Sequence, residues 1–417
     1  MSDAGARARF ASRIEELEDD VVAFCAELVR IDSQNPPGDT GPLVAAIEAR
    51  LGDAPGVHAR RIVAEDPAVN LVAMVSGSKP GRRLVFNGHL DTFPIGDTAG
   101  WSTPPLGGEI RDGRIYGRGA CDMKAGIAAS VTAFLLLAEF RGDWAGEAVL
   151  ALVGDEETGG RWGTQHLLAN FEETVGDAMI SGDAGSPLVA RIGEKGNLWV
   201  KVEAAGIANH GAHVHLGQNA IEALLDALTP VLALGDAPSQ LPEAIARTIR
   251  EAAPISEALS GAGESDTLQR ITVNLGRIEG GLNINTIPNS AKALLDFRLP
   301  PGTAVADLHA RIAAALDPLR DVTWEVLSEC EPNWTEPDHE LVRLVHDNAR
   351  AVLGRDVAVN LRPGFSDARF YRQKGVPSVV YGVAANNMGG TDEFADIEEL
   401  HAVFAVHALT AFDYLSA

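Results

Sequence analysis

The first half of the chain alternates amphipathic stretches with short apolar runs. Apolar residues recur with helical spacing over 13–30 and again at about 42–52, which predicts two helices. The runs NLVAMVSG and RLVFNGHLDT are typical of strands, the second of a fully buried one. The apolar stretch 125–140 predicts a buried helix. Strands that alternate with helices predict an α/β fold with a mostly parallel sheet and flanking helices.

The middle of the chain has a different period. GNLWVKVEAAG, ITVNLGRIEGG and SAKALLDFRLP alternate polar and apolar residues, and a helical stretch, NAIEALLDALTPVLAL, lies between them. We therefore expect an inserted α+β domain over 196–308, and a first domain that comprises 1–195 and resumes over 309–417. In the resumed part, AVADLHARIAAAL predicts a helix, PSVVYGV a buried strand and IEELHAVFAVHALTAFDYL the closing helix.

Length and composition support this division and exclude several classes of partner. A chain of 417 residues is too long for one ordinary core. Its net charge of −24 argues against nucleic acids and anionic membranes as partners. The three cysteines are far apart and form no CxxC motif, so neither a disulfide framework nor a zinc ribbon is expected. Without a signal-peptide pattern or a long apolar span, we expect a cytoplasmic protein.

Acidic residues and a histidine follow several of the predicted strands. His89 and Asp91 stand two residues apart, so on extended backbone both side chains point the same way. This arrangement suits a metal ligand and the carboxylate that orients its imidazole, although a histidine that caps a strand is the alternative. Asp122 lies in a glycine-rich turn before a helix, where it is either a ligand or a helix cap.

The segment VGDEETGG places Asp155, Glu156 and Glu157 together after an apolar strand. Crowded carboxylates repel one another unless a cation lies between them, and a solvated acidic loop is the alternative. Asp183 follows a further strand. These residues make up the mixed nitrogen and oxygen ligand set of zinc, manganese or cobalt sites. They are expected beyond strand ends, where open α/β sheets bind their ligands.

A set of motifs extends over nearly the whole chain. They are GHLDTFP, GRGACDMKAG, GDEETGG, GIANHGAHVHLGQNAI, NINTIPNSAKALLDFRLP and GFSDARFYRQKGVPSVVYG. Together they resemble the zinc-dependent amidohydrolase and exopeptidase family of acetylornithine deacetylase, succinyl-diaminopimelate desuccinylase, aminoacylase and glutamate carboxypeptidase. The resemblance implies a catalytic domain with an inserted lid and dimerisation domain. It also implies a homodimer or a larger assembly of dimers.

The resemblance further implies a role for each matching residue. His89 and Asp183 would bind one metal, Asp122 would bridge two metals, and Glu157 would bind the second. Asp91 would orient His89, and Glu156 would be the general base. His210 would stabilise the oxyanion across the subunit interface. Asn285 and Arg298 would hold the substrate, because a guanidinium binds a carboxylate through two hydrogen bonds. Without the resemblance, surface solvation would explain Arg298.

One position departs from the family pattern. The family's last metal ligand is a histidine three residues before an acidic pair, and here that position is Gly389, before Asp392 and Glu393. The histidines at 401 and 407 lie too far along the chain, and a carbonyl oxygen of the asparagines at 386 or 387 would be a poorer ligand. We therefore expect one firmly bound divalent metal rather than two, with Glu157 left for substrate or for a weakly held second ion.

The expected reaction is hydrolysis of a C–N bond in a small molecule that carries a carboxylate, namely the amide of an N-acyl amino acid or a small peptide. The altered second site leaves an alternative open: an aminohydrolase that displaces ammonia from an activated aromatic amine such as 5-nitroanthranilate. A third alternative is a non-catalytic descendant that binds metal or another ligand. Ammonia release from a substrate without an acyl group would separate the first two.

Overall fold

The computed structural model describes residues 3–236 and 239–417, which form two compact units. The first unit comprises residues up to 192 together with 335–360 and 365–417, and the second comprises 193–334 and 361–364. Helices α1 to α5 span Asp3–Glu16, Glu18–Val29, Gly41–Leu51, Ala125–Glu139 and Thr164–Asn170. Strands β1 to β8 span His58–Glu65, Ala68–Ser76, Arg83–His89, Glu109–Arg111, Arg114–Tyr116, Glu147–Val153, Ala178–Ser181 and Val189–Glu194.

The remaining elements follow in chain order. Helices α6 to α9 span Ala220–Leu232, Glu243–Ser260, Glu264–Gln269 and Val305–Leu316, and α10 to α12 span Glu340–Leu353, Ala368–Gln373 and Ile397–Ser416. Strands β9 to β12 span Gly196–Ala205, Thr272–Gly280, Ser290–Leu299 and Val322–Cys330. Strands β13 to β16 span Asn333–Trp334, Ala358–Arg362, Ser378–Val380 and Phe394–Asp396.

The sheet of the first unit has the strand order β1-β2-β6-β3-β7-β15-β8. Its central pairs β6–β3, β3–β7 and β7–β15 are parallel, whereas β1 and β2 add an antiparallel edge. The predicted α/β fold with a mostly parallel sheet is thereby confirmed. In the register, His89 at the end of β3 lies opposite Val153 at the end of β6. The loops that follow these strands therefore begin at the same edge of the sheet.

The helix α4 lies at the centre of the first unit. The helical stretch Ala120–Glu139 is long and apolar enough to cross a membrane, but 94% of its most apolar window is buried inside the protein. Helix α12 packs along it, and α2 contacts it as well. The single helix expected over 13–30 is instead two helices, because the chain leaves helical geometry at Leu17.

The second unit contains a four-stranded antiparallel sheet with the order β10-β11-β9-β12. Helices α6 and α9 pack against this sheet around an apolar core. Strand β12 pairs with β9 from Val322, opposite Ala204, to Cys330, opposite Asn197. The second unit therefore extends to residue 334, whereas the sequence analysis placed residues 309–334 in the first domain. The partner strand β9 lies more than a hundred residues earlier in the chain. The local sequence of β12 therefore does not indicate this pairing.

Candidate metal centre and active site

The first unit gathers a histidine and two aspartates at one edge of its sheet. His89 ends β3, and Asp183 follows the end of β7, which is the parallel neighbour of β3. Asp122 lies in the tight turn Ala120–Lys124 that leads into α4. One ligand atom from each of His89, Asp122 and Asp183 lies within 4.8 Å of the others, and all three residues are buried. This is the spacing that a single metal ion needs.

A pair of glycines allows the turn and the strand to approach so closely. A Cβ atom added to Gly126, in the first turn of α4, would collide with the carbonyl oxygen of Gly182. A Cβ added to Gly182 would in turn lie only 2.5 Å from the Cα of Gly126. Because neither residue has a side chain, the start of α4 can lie directly on the segment after β7. Asp122 and Asp183 meet as a consequence.

The imidazole of His89 is held from both sides. Its Nε2 lies 3.0 Å from Asp122 Oδ1, and its Nδ1 lies 2.9 Å from the backbone oxygen of Asp91. The nearest carboxylate oxygen of Asp91 is farther from Nδ1, at 3.7 Å. The carboxylate of Asp91 accepts instead from the backbone N–H groups of Glu156 and Glu157, each at 3.2 Å. Asp91 therefore links the end of β3 to the acidic turn after β6.

The cluster holds more negative charge than its own cations balance. Burial lowers the pKa of His89. The hydrogen bond to Asp122 and the negative charges of Asp122, Glu156 and Glu157 outweigh this effect, so the pKa of His89 lies well above its usual value. Burial raises the pKa of Glu157 to about 8, and the carboxylates of Asp122, Asp91 and Asp183 add to this shift. Burial likewise raises the pKa of Glu156 well above its usual value. A divalent cation would relieve this repulsion.

The donor atoms also fit a metal. Within the described part of the chain, no hydrogen-bond partner reaches the buried Oε1 of Glu157. A buried carboxylate oxygen without a partner is costly, and a cation or its water would satisfy it. One imidazole with two or three carboxylates is a ligand set suited to zinc or manganese. The residues present therefore fit a divalent metal.

At Gly389, the structure offers backbone in place of a ligand side chain. The residue has φ = +70°, and its carbonyl oxygen accepts a hydrogen bond of 2.9 Å from Arg118 Nη2. Each neighbouring asparagine makes a contact of its own. The side-chain amide of Asn387 donates to the backbone oxygen of Asp392 at 3.1 Å, and the backbone oxygen of Asn386 lies 3.6 Å from the thiol of Cys121.

The two later histidines have packing partners. Nε2 of His407 lies 2.8 Å from the backbone oxygen of Tyr381, and its Nδ1 lies 3.2 Å from Ser130 Oγ. Burial lowers the pKa of His407 to about 4, so this imidazole is neutral. His401 lies 3.9 Å from Glu18 near the surface. These contacts give both histidines packing roles in the closing helix α12.

The other three predicted site residues belong to the second unit. His210 is exposed, and its Nδ1 accepts from the N–H of Ala212 at 3.2 Å. The backbone oxygen of Asn285 accepts from Gly211 N at 2.7 Å, so the unit brings the His210 and Asn285 loops together. Arg298 lies on β11 and donates to both carboxylate oxygens of Asp296, at 2.8 and 3.0 Å.

The structure adds three residues that the sequence analysis did not single out. Asn35 donates to Asp91 Oδ2 at 2.9 Å, although its segment predicted only a break between helices. Arg369 Nη1 lies 3.8 Å from Glu156 Oε1. Asp367 accepts from Thr164 Oγ1 at 2.7 Å, and burial raises the pKa of Asp367 to about 6. Asp367 and Arg369 both lie in the motif GFSDARFYRQKGVPSVVYG. Their charges in this motif were the feature of the sequence that could have identified them as site residues.

Comparison with known proteins gives consistent relatives. The family model described as peptidase family M20/M25/M40 matches residues 85–413. A succinyl-diaminopimelate desuccinylase of Cereibacter sphaeroides is 31% identical over 420 residues, which cover 95% of this chain and 99% of that protein. An M20 family metallo-carboxypeptidase from Sulfolobus solfataricus superposes with a TM-score of 0.76 at 18% identity, covering 94% of this chain and 98% of its own.

A third relative shares the fold. A Bacillus subtilis protein described as a dinuclear metal-binding peptidase from the M20 family has a TM-score of 0.63 at 14% identity, covering 96% of this chain and 99% of its own. At that identity the likeness shows the fold alone. The match over residues 85–413 and the 31% identity over nearly full length establish membership. The chain belongs to the peptidase family M20/M25/M40, and it is a metal-dependent hydrolase of carbon–nitrogen bonds.

Proposed function

We propose that this hydrolase cleaves the amide bond of an N-acyl amino acid or small peptide that carries a carboxylate, with Glu156 as the general base. One observation carries the proposal: the mostly buried carboxylate of Glu156 lies close enough to His89 and Asp183 for their charges to act on its pKa. A carboxylate of raised pKa beside a metal cluster is suited to proton transfer near neutral pH. The curated relatives named succinyl-diaminopimelate desuccinylase support an amide substrate over an aromatic amine.

Each residue then has a defined task. His89, Asp122 and Asp183 would hold a divalent metal, which would supply a Lewis acid that lowers the pKa of a water molecule. Asp91 positions the imidazole of His89 through its backbone oxygen. Its carboxylate oxygens position the turn of Glu156 and Glu157. Glu156 takes a proton from the attacking water and returns it to the leaving amine.

The metal count follows from the residues at the second position. Asp122 and Glu157 remain available there, but Gly389 has no side chain to contribute. Two carboxylates are fewer protein ligands than catalytic sites commonly use, which is three. We propose one firmly bound ion of zinc, manganese or cobalt per chain, with Glu157 holding a second ion weakly or not at all.

Substrate binding is assigned to the second unit. Arg298 binds the substrate carboxylate, and Asn285 binds the substrate beside it. His210 stabilises the oxyanion across the interface of a homodimer. The adjacency of the His210 and Asn285 loops supports a joint role. The assembly is a cytoplasmic homodimer or a larger assembly of dimers. Sedimentation of a fully active enzyme as a monomer would contradict this arrangement.

The test is turnover by the metal-loaded enzyme and by Glu156→Gln. N-succinyl-diaminopimelate, other N-acyl amino acids and dipeptides are assayed for release of a primary amine, and 5-nitroanthranilate for release of ammonia. We expect amide hydrolysis, and a loss of about 10²–10⁴-fold in kcat in the variant, the range for general-base catalysis.

The chain offers a matched control in Glu172→Gln. Residues 172–174 repeat the EET sequence of 156–158 in a second 3-10 turn, but Glu172 is exposed and lies after α5. This variant should keep full activity. Full activity of Glu156→Gln would exclude Glu156 as the base. Ammonia from the aromatic amine, without amide hydrolysis, would overturn the substrate class.

A further inference from the structure

A buried ion pair joins Arg118, two residues before the turn of Asp122, to the loop 386–393. Arg118 Nη1 lies 2.5 Å from Glu393 Oε2, and both side chains are almost completely buried, at 2% and 1% exposure. The second terminal nitrogen of Arg118 donates to the backbone oxygen of Gly389 at 2.9 Å. The guanidinium therefore binds the loop at two points, four residues apart.

The carboxylate of Glu393 reaches back to the metal-binding turn. Its Oε1 accepts from the backbone N–H of Cys121 at 3.2 Å and from that of Asp122 at 3.4 Å. The thiol of Cys121 donates to the same oxygen at 3.5 Å. The backbone oxygen of Glu393 also accepts from Gly117 N at 2.9 Å. Glu393 thus contacts the residue before the proposed ligand, the backbone of the ligand itself, and Gly117, which follows strand β5.

Two fully buried charges need a reason, because taking them out of water is unfavourable even when they pair. The loop they hold supplies no ligand side chain at Gly389. It nonetheless remains bound to the backbone of a residue in the cluster. Outer contacts of this kind fix the orientation of metal ligands and change metal affinity when they are removed.

We propose that Arg118 and Glu393 are positioning residues that hold the Asp122 carboxylate in the geometry required for metal binding, with loop 386–393 as their support. The inference rests on the proposed role of Asp122 as a metal ligand. It assigns the loop a function that does not depend on a ligand at position 389.

The test separates positioning from simple support of the fold. Arg118→Met leaves the Glu393 charge buried without its partner, so it should lower both metal affinity and the melting temperature of the metal-free protein. The double variant Arg118→Met/Glu393→Met removes both charges and leaves neither unpaired. Replacing a buried pair by apolar side chains is often neutral for stability. The melting temperature should then rise above that of Arg118→Met but stay below that of the wild type, because the N–H groups of Cys121 and Asp122 lose their acceptor. The metal dissociation constant should stay about 10–100-fold weaker than in the wild type.

The measurements are the dissociation constant of the first zinc ion, by competition with a chelating dye, and the metal-free melting temperature. The matched control is Arg83→Met/Glu147→Met, which removes an ion pair at the opposite end of β3 and β6. It should leave zinc affinity unchanged. Arg118→Lys gives a second, milder variant, because lysine keeps the charge but not the planar fork that reaches Glu393 and Gly389 together. We expect it to bind zinc several-fold more weakly.

Wild-type zinc affinity in the double variant, or in Arg118→Lys, would overturn the positioning role while leaving the metal site intact. Failure of the wild type itself to bind zinc would be a different result. It would remove the proposed metal function and this inference with it.

Discussion

Replacing Gly389 by histidine is the most direct test of the single-ion proposal. The backbone there has φ = +70°, which costs an L-residue about 1–2 kcal/mol. Steric hindrance adds little, because a Cβ at this position would lie 3.4 Å from Phe93 Cδ2, an ordinary van der Waals contact. The Gly389→His protein should therefore fold and, without metal, be about 1–2 kcal/mol less stable than the wild type.

Metal binding should make Gly389→His more stable than the wild type. A ligand that binds only the folded state at a hundredfold excess over its dissociation constant stabilises it by about 2.7 kcal/mol. If the new imidazole completes a second site with Asp122 and Glu157, this gain exceeds the backbone cost. The first ion stabilises both proteins alike. The loaded variant should therefore be more stable than the loaded wild type by about 1 kcal/mol.

The assay is metal content per chain by mass spectrometry, after dialysis and after loading with manganese or zinc, together with thermal unfolding of each form. We expect one ion in the wild type and two in Gly389→His. Gly390→His is the control, because it introduces the same side chain one residue farther along. Two ions in the wild type would refute the reasoning, since the second site would then have another ligand. One ion in both proteins would show that position 389 does not face the second site.

Two further predictions concern charges around the cluster. Burial raises the pKa of Glu157 to about 8 in the metal-free protein, so the folded chain retains a proton that the unfolded chain releases near pH 4.5. Stability of the metal-free protein should consequently fall, on the order of a few kcal/mol, as pH rises from about 5 to 8. Denaturant titrations should show this slope flattened in Glu157→Gln, and an unchanged slope would contradict the assignment. The guanidinium of Arg369, 3.8 Å from Glu156, favours the ionised form of that carboxylate. Its replacement by methionine should move the acid limb of the kcat/KM profile to higher pH, and replacement by lysine should move it less; coincident profiles would exclude Arg369 as an influence on the base.

Local patterns predicted the main strands and helices of the first unit and the residue types of a metal site. The alternation of strands and helices predicted the mostly parallel sheet, and acidic residues beyond apolar runs predicted the edge where they meet. This succeeded because strand and helix periods are properties of neighbouring residues. The residue types in the motifs GHLDTFP and GDEETGG indicated a metal site, and the resemblance carried by the full set of motifs implied hydrolysis of a C–N bond.

Sequence patterns did not predict contacts between segments that are far apart in the chain. The boundary at residue 308 stopped short because β12 pairs with β9, and only the folded sheet shows this partner. Asn35 stood in a segment that predicted nothing more than a break, yet it donates to Asp91. The link between Arg118 and Glu393 joins residues 275 positions apart. Contacts between residues so far apart in sequence produce no periodic pattern in the chain.

The sequence by itself determined which groups are available: one histidine and several carboxylates at strand ends, and a glycine where a last ligand was expected. Only the tertiary structure decided how those groups meet. Gly126 and Gly182 bring Asp122 against Asp183, and Arg118 and Glu393 fasten the turn between them. The physical reason is that metal geometry requires atoms from separate segments to lie within a few ångströms, and that distance is set by packing, not by the order of residues along the chain.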